Sequence, residues 1–157
     1  MYPPHYIDTH VRNLMKPGVA CTFSLWSFIP DKRHSRLGLW LYECLRDLHL
    51  SIQAIKRPEL CVRGMTFGFN TELGRLFGFR TDIRRGEDGS LALAMKPYGR
   101  LIFITSRKAR ALTSNSTIDA DGSLARSFGV RLLKALKGAT GLLYKKTTYK
   151  DKDSNLL

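Results

Sequence analysis

The chain lacks more than it displays. It has no C-x-x-C pair. Its three cysteines, Cys21, Cys44 and Cys61, are odd in number, and no histidine pair stands near any of them at finger spacing. A structural zinc site and a disulfide framework are therefore not expected. Each thiol sits in an apolar stretch, so packing in the core is its expected role, and reduced thiols fit a cytosolic or nuclear protein. No apolar run approaches the length of a membrane span, and the first fifteen residues, interrupted by Pro3, Pro4, His5, Asp8, His10 and Arg12, do not form a signal peptide. With Tyr at position 2, N-myristoylation is excluded. Any contact with a membrane is expected to be peripheral.

Catalytic signatures are also missing. There is no G-x-S-x-G, H-E-x-x-H, G-x-x-x-x-G-K-[ST] or G-x-G-x-x-G. The four histidines are scattered, and Asp119-Ala120-Asp121-Gly122 reads as a turn rather than an acid pair. No catalytic residue, metal ligand or cofactor is expected. A nuclease with carboxylates far apart in sequence is the enzymatic alternative, which metal-dependent cleavage would reveal.

Acidic residues are scarce. There are 13 Asp and Glu against 26 Lys and Arg, a formal net charge of +13 and a pI near 10.1. This excess predicts salt-dependent attraction to anionic partners: nucleic acid, an anionic membrane or an acidic protein. The hydrophobic fraction of 43% is nevertheless ordinary, so the chain can build one core.

Pattern along the chain predicts an α+β single domain: a twisted antiparallel sheet with two main helices packed on it. Residues 1–17 read as a flexible arm, 18–150 as the compact domain and 151–157 as a polar tail. Val19 to Ile29 alternates as a strand. Ser35 reads as an N-cap, and the stripe Leu37, Trp40, Leu41, Cys44, Leu45 and Leu48 then predicts a helix with that stripe in the core. Arg36, Glu43, Arg46 and Asp47 fall on its solvent side. Tyr42-Glu43-Cys44-Leu45 matches Y-x-x-L, but lies within that helix and reads as core. Leu60 to Phe69 reads as a strand, Leu91 to Met95 and Arg100 to Thr105 as a hairpin across Pro97 and Gly99, Ser123 to Lys137 as the second helix and Leu142 to Tyr149 as a last strand.

Two features carry functional expectation. Pro3-Pro4-His5-Tyr6 matches Pro-Pro-x-Tyr, in which paired prolines favour polyproline II and Pro3, Pro4 and Tyr6 fill the groove of a WW domain. The plainer reading is a proline-rich chain start of no consequence. The second is the stretch Ser123 to Lys152. Arg126, Arg131, Lys134, Lys137, Lys145, Lys146, Lys150 and Lys152 face only Asp151, giving +7. Arg84, Arg85, Arg107, Lys108 and Arg110 form a second basic set. Each cation near an anionic leaflet contributes on the order of 1 kcal/mol, and the same charges suit RNA phosphates. A solvated basic face is the plainer reading.

A basic single domain with Pro-Pro-x-Tyr near its start resembles the matrix proteins of enveloped negative-strand RNA viruses, rhabdovirus matrix proteins above all. The order of an aromatic-rich strand over Phe23 to Ile29, a helix over Ser35 to Leu50, Lys56-Arg57-Pro58 and an apolar Leu60 to Phe69 is similar. The family's arm is longer and richer in lysine, whereas this one has only Arg12 and Lys16. The chain is also short for the family, and matrix-like proteins such as those of the bornavirus group are the other resemblance. The resemblance implies a non-enzymatic protein of the virion that lies beneath the envelope, in the host cytoplasm and at the inner face of the plasma membrane, with entry to the nucleus left open. Its implied partners are the anionic membrane, the viral nucleocapsid and its RNA, a host Nedd4-type WW-domain ubiquitin ligase that promotes budding, and other copies of itself. An arm segment docking on a neighbour would use Val11, Leu14 and Met15. The alternative is a non-catalytic RNA- or DNA-binding regulatory protein.

Overall fold

A computed structural model describes residues 1–83, 86–120, 126–129 and 133. They form a mixed helix-and-strand domain built around one strand. β1 (Val19–Ser24) lies between β3 (Phe67–Phe69) and β4 (Arg100–Ile104). β3 runs antiparallel to it and β4 parallel. β2 (Trp26–Phe28) continues β1 and pairs in parallel with β5 (Ala111–Thr113). The expected all-antiparallel sheet is thus corrected to a mixed one. The physical reason is the connection between β1 and β4, which carries helices across the sheet rather than a tight turn.

Every residue of β1 is buried, so the strand is covered on both faces. One face carries Cys21 and Phe23. Phe23 stacks on Phe103, with ring centroids 5.1 Å apart, and joins Leu50, Cys61, Leu91 and Met95 in the main core. Burial of this kind contributes about 2 kcal/mol per large apolar side chain. Burial also pushes the Cys21 and Cys61 thiols up to about 12, in keeping with packing roles. Cys44 differs from the expectation: it is exposed.

The other face carries Thr22 and Ser24, and α1 (Tyr6–Leu14) closes over it. His10 is buried there, with Nδ1 2.8 Å from Thr22 Oγ1 and Nε2 3.3 Å from Ser24 Oγ. Gly68 makes this approach feasible, since a Cβ there would stand 3.1 Å from Thr22 Oγ1 and 3.4 Å from His10 Nδ1. The flexible arm expected for residues 1–17 is therefore corrected. Pro3 and Pro4 precede the helix and Pro17 follows it, so none interrupts it, and the buried imidazole ties the helix to the sheet.

The hairpin expected across Pro97 is corrected too. α4 (Glu87–Met95) is a helix, a short 3-10 turn follows at Lys96–Tyr98, and β4 then pairs with β1. Gly99 is required where β4 begins. A Cβ there would stand 2.9 Å from the Ala20 nitrogen and 3.0 Å from the Gly18 oxygen. The strand expected over Leu60 to Phe69 shrinks to β3, preceded by two 3-10 turns, Pro58–Cys61 and Gly64–Thr66. Glu59 is buried in the first turn and accepts a 2.9 Å hydrogen bond from Lys96 Nζ. α3 (Thr71–Phe77) is capped by Asn70, whose side chain accepts from the nitrogens of Glu72 and Leu73. α5 (Ser116–Ala120) places Ile118 with Phe28, Leu39 and Tyr42 in a second, smaller core. The expected helix over Ser123 to Lys137 is helical at residues 126–129 and 133, and its other residues lie outside those described. So does the expected last strand, Leu142 to Tyr149.

Candidate functional site

α2 (Arg36–Lys56) starts where the Ser35 side chain accepts from the Gly38 nitrogen, as its sequence predicts. Its orientation reverses the expectation. Arg36 is exposed as expected, but Glu43, Arg46 and Asp47 point into the body. Glu43 accepts from the Phe28 nitrogen at 2.7 Å and from the Ser27 hydroxyl at 3.0 Å. Asp47 accepts from Arg46 at 2.7 Å and from Arg110 at 2.5 Å. The Arg46 guanidinium lies 4.4 Å over the Trp26 ring and donates to the Trp26 carbonyl. This cluster satisfies the end of β2, which explains the inward turn: an apolar residue at position 43 would leave Phe28 N–H without its acceptor.

The stripe expected in the core is instead exposed. Leu37 is 65% accessible and Leu48 59%, Trp40, Leu41 and Leu45 are about half exposed, Cys44 is exposed, and Ile52 and Ile55, the latter 79% accessible, continue the stripe. At 3.6 residues per turn these positions fall within an arc of about 140° along a helix about 31 Å long. Tyr42, on the inner side, packs edge-to-face against Phe28 and Phe128. The Y-x-x-L match is thus half in the core, through Tyr42, and half outside it, through Leu45.

Beside this face lies an open groove of about 320 Å³, whose walls include Pro3, Trp40, Cys44, Arg107 and Leu112 and whose polar lining is Glu43, Asp47 and Arg110. The Pro-Pro-x-Tyr segment borders it, but not as polyproline II. It forms a turn, with the Tyr6 nitrogen donating to the Pro3 carbonyl at 3.0 Å. The Tyr6 ring lies 4.5 Å from both Tyr2 and His10, and its hydroxyl donates to the Met65 carbonyl at 3.2 Å. Burial pushes the phenol up to about 12. Pro3 is half-buried and Pro4 exposed. A WW domain could reach Pro4 on this surface, but Tyr6 only after the first turn of α1 opens.

The basic residues separate into distinct sets. Arg107 and Lys108 are exposed on the 3-10 turn Arg107–Ala109. Arg110 is committed to Asp47 and Glu43, so its expected place in an anion-binding patch is corrected. Arg126 is exposed. Arg84, Arg85, Arg131, Lys134, Lys137, Lys145, Lys146, Lys150 and Lys152 lie outside the described residues. Val11 and Met15 are exposed on the outer side of α1, next to Ile7 in the same stripe, whereas Leu14 is partly buried and reaches toward Gly68. The outer face of α2 escaped sequence reasoning as a functional surface. No local signal marked it, because the roles of Glu43 and Asp47 at β2 and Arg110 depend on neighbours remote in sequence.

Among the described residues no helix is long and apolar enough to cross a membrane, and no cluster of His, Cys, Asp and Glu could hold a metal ion. No protein-family model matches the chain, and no curated protein or solved structure matches it.

Proposed function

We propose that the protein is a non-catalytic, matrix-type protein that attaches peripherally to anionic membrane, with viral RNA and further copies of itself as its other partners. Pro3, Pro4 and Tyr6 would recruit a WW-domain ubiquitin ligase once the start of α1 opens. The observation that carries this reading is the unbalanced positive charge. The chain bears +13, while among the described residues most acids that could repel an anionic surface are paired. Asp8 is held by Arg12, Asp82 by Arg80, Glu72 by Arg75, Glu59 by Lys96, and Asp47 by Arg46 and Arg110. Exposed cations such as Arg107 and Lys108 therefore face solvent with few competing carboxylates.

Flotation with phosphatidylserine-containing and neutral vesicles tests the membrane assignment. Binding to the anionic vesicles alone, weakening as salt rises, is the expected result. Equal binding to both, or none, refutes it, and tight salt-sensitive binding to RNA without flotation favours the nucleic-acid regulator instead. Release of membrane-bounded particles from cells expressing the chain tests the budding role. Pro4→Ala is the informative variant, because Pro4 is exposed whereas Tyr6 also packs against the fold.

A further inference from the structure

The outer face of α2 is a continuous apolar stripe on a helix whose central charged residues, Glu43, Arg46 and Asp47, are already engaged by the body of the protein. We propose that this face is a lipid-insertion surface, lying in the plane of an anionic leaflet with Leu37, Leu41, Leu48, Ile52 and Ile55 in the acyl boundary and Trp40 at its edge. The proposal rests on the membrane reading above and names the surface that makes the contact.

Three observations select lipid over other occupants. First, the carboxylates of α2 that could oppose an anionic headgroup, Glu43 and Asp47, are turned inward onto Phe28 and Arg110. Second, both ends of the stripe are cationic: Lys32, Arg33 and Arg36 precede it, and Lys56 closes it, all exposed. Basic flanks around a Leu, Ile and Trp face are the pattern of a helix lying in a membrane interface, where the indole favours the headgroup level. Third, a second copy packed on the same face in either direction would bring cationic ends together on a chain of +13, and no carboxylate on the stripe could compensate. α2 is about as long as a hydrocarbon core is thick, but Glu43, Arg46 and Asp47 near its middle and cations at both ends make a span too polar, which suits a helix lying flat.

The test uses the full chain, vesicles of mixed phosphatidylserine and phosphatidylcholine, and vesicles with brominated acyl chains. The variants are Leu41→Glu with Leu48→Glu, both at exposed positions, and Trp40→Phe. In the native chain, brominated acyl chains should quench tryptophan emission, and Trp40→Phe should abolish most of that quenching, since Trp26 is buried. The double Glu variant should keep its circular dichroism and lose about a hundredfold in vesicle partitioning, near tenfold for each buried leucine removed.

If the native chain binds vesicles and the double variant binds equally well, the stripe is not the contact, although attachment by charge survives. If the native chain binds no vesicle, the membrane reading itself falls. If the native chain is a dimer by sedimentation and the double variant a monomer, the face belongs to a second copy. If Trp40 emission in vesicle-free protein is already shielded from iodide, residues of the chain's own C-terminal part cover the stripe. Either of the last two results overturns the proposal.

Discussion

Asp47 and Leu48 are neighbours on α2, yet the polar one is the more deeply placed. The Asp47 side chain is 15% accessible and bonded to two arginines, while Leu48 is 59% accessible. α1 repeats the inversion on a smaller scale, with His10 buried and Ile7, Val11 and Met15 outside. α4 is the contrast. Its apolar residues show no strong sidedness, and Gly89, Ser90, Leu91, Ala92 and Met95 are all buried. Amphipathicity therefore establishes that two faces of a helix meet different environments. It does not establish which face meets the body of the protein and which meets a partner.

The largest effect that could break this contrast is on folding stability. Asp47→Ala removes the carboxylate that Arg110 and Arg46 share and should cost about 3 kcal/mol, while Leu48→Ala should change stability by less than about 0.5 kcal/mol. Urea denaturation of both variants decides the matter. The reverse ranking would place the stripe in the core.

A second comparison separates the exposed cations from the paired one. Arg107→Ala with Lys108→Ala should weaken binding to anionic vesicles by roughly 2 kcal/mol, near 1 for each cation lost, without altering the unfolding midpoint. Arg110→Met should instead lower that midpoint by exposing the loss of its ion pairs, and sedimentation with vesicles would report little further change for the folded fraction.

The third effect concerns α1. Burial holds His10 below its ordinary value of 6.5. The folded state thus favours the neutral ring, and the unfolded chain binds the proton first. Stability should be undiminished above pH 6.5, fall as pH drops below it toward the folded value, and level off beneath that. His10→Gln should flatten this window in thermal melts at several pH values. A slope of the same size in the variant would assign the pH response elsewhere.

The smallest effect on stability belongs to Pro4→Ala, which should leave the melting temperature nearly unchanged while reducing capture by an isolated WW domain. A peptide of residues 1–8 should bind that domain more tightly than the whole chain, because the chain must first release Tyr6 from Met65 and His10. Equal affinities in a titration would show that the docked turn offers no resistance.

Much of this architecture was legible, but not its orientation. The alternation in Val19 to Ile29 marked extended chain, read as one strand where the structure has two, β1 and β2, in separate sheets, and Ser35 correctly started α2. What failed were inferences requiring knowledge of neighbours. The run Leu91 to Met95 is short and apolar, a pattern that a strand and a buried helix share, and the parallel partner of β1 comes from far along the chain. Glu43 looked like a surface residue because nothing local reveals that β2 needs an acceptor. The N-terminal segment looked like an arm because its anchor, His10, is a residue type usually read as polar surface.

The parallel pairing of β1 with β4 has a consequence for how the protein is made. Phe23 meets Phe103 across about half the chain, so the loop-closure cost of the central pairing is met late. During synthesis the apolar Val19–Ser24 segment emerges first and, even after β3 can pair with it, its β4-facing edge waits open until residues near 104 leave the ribosome. Over that interval it is a template for pairing with other nascent chains. The order of assembly, rather than the strength of the finished core, would then set the yield of folded protein.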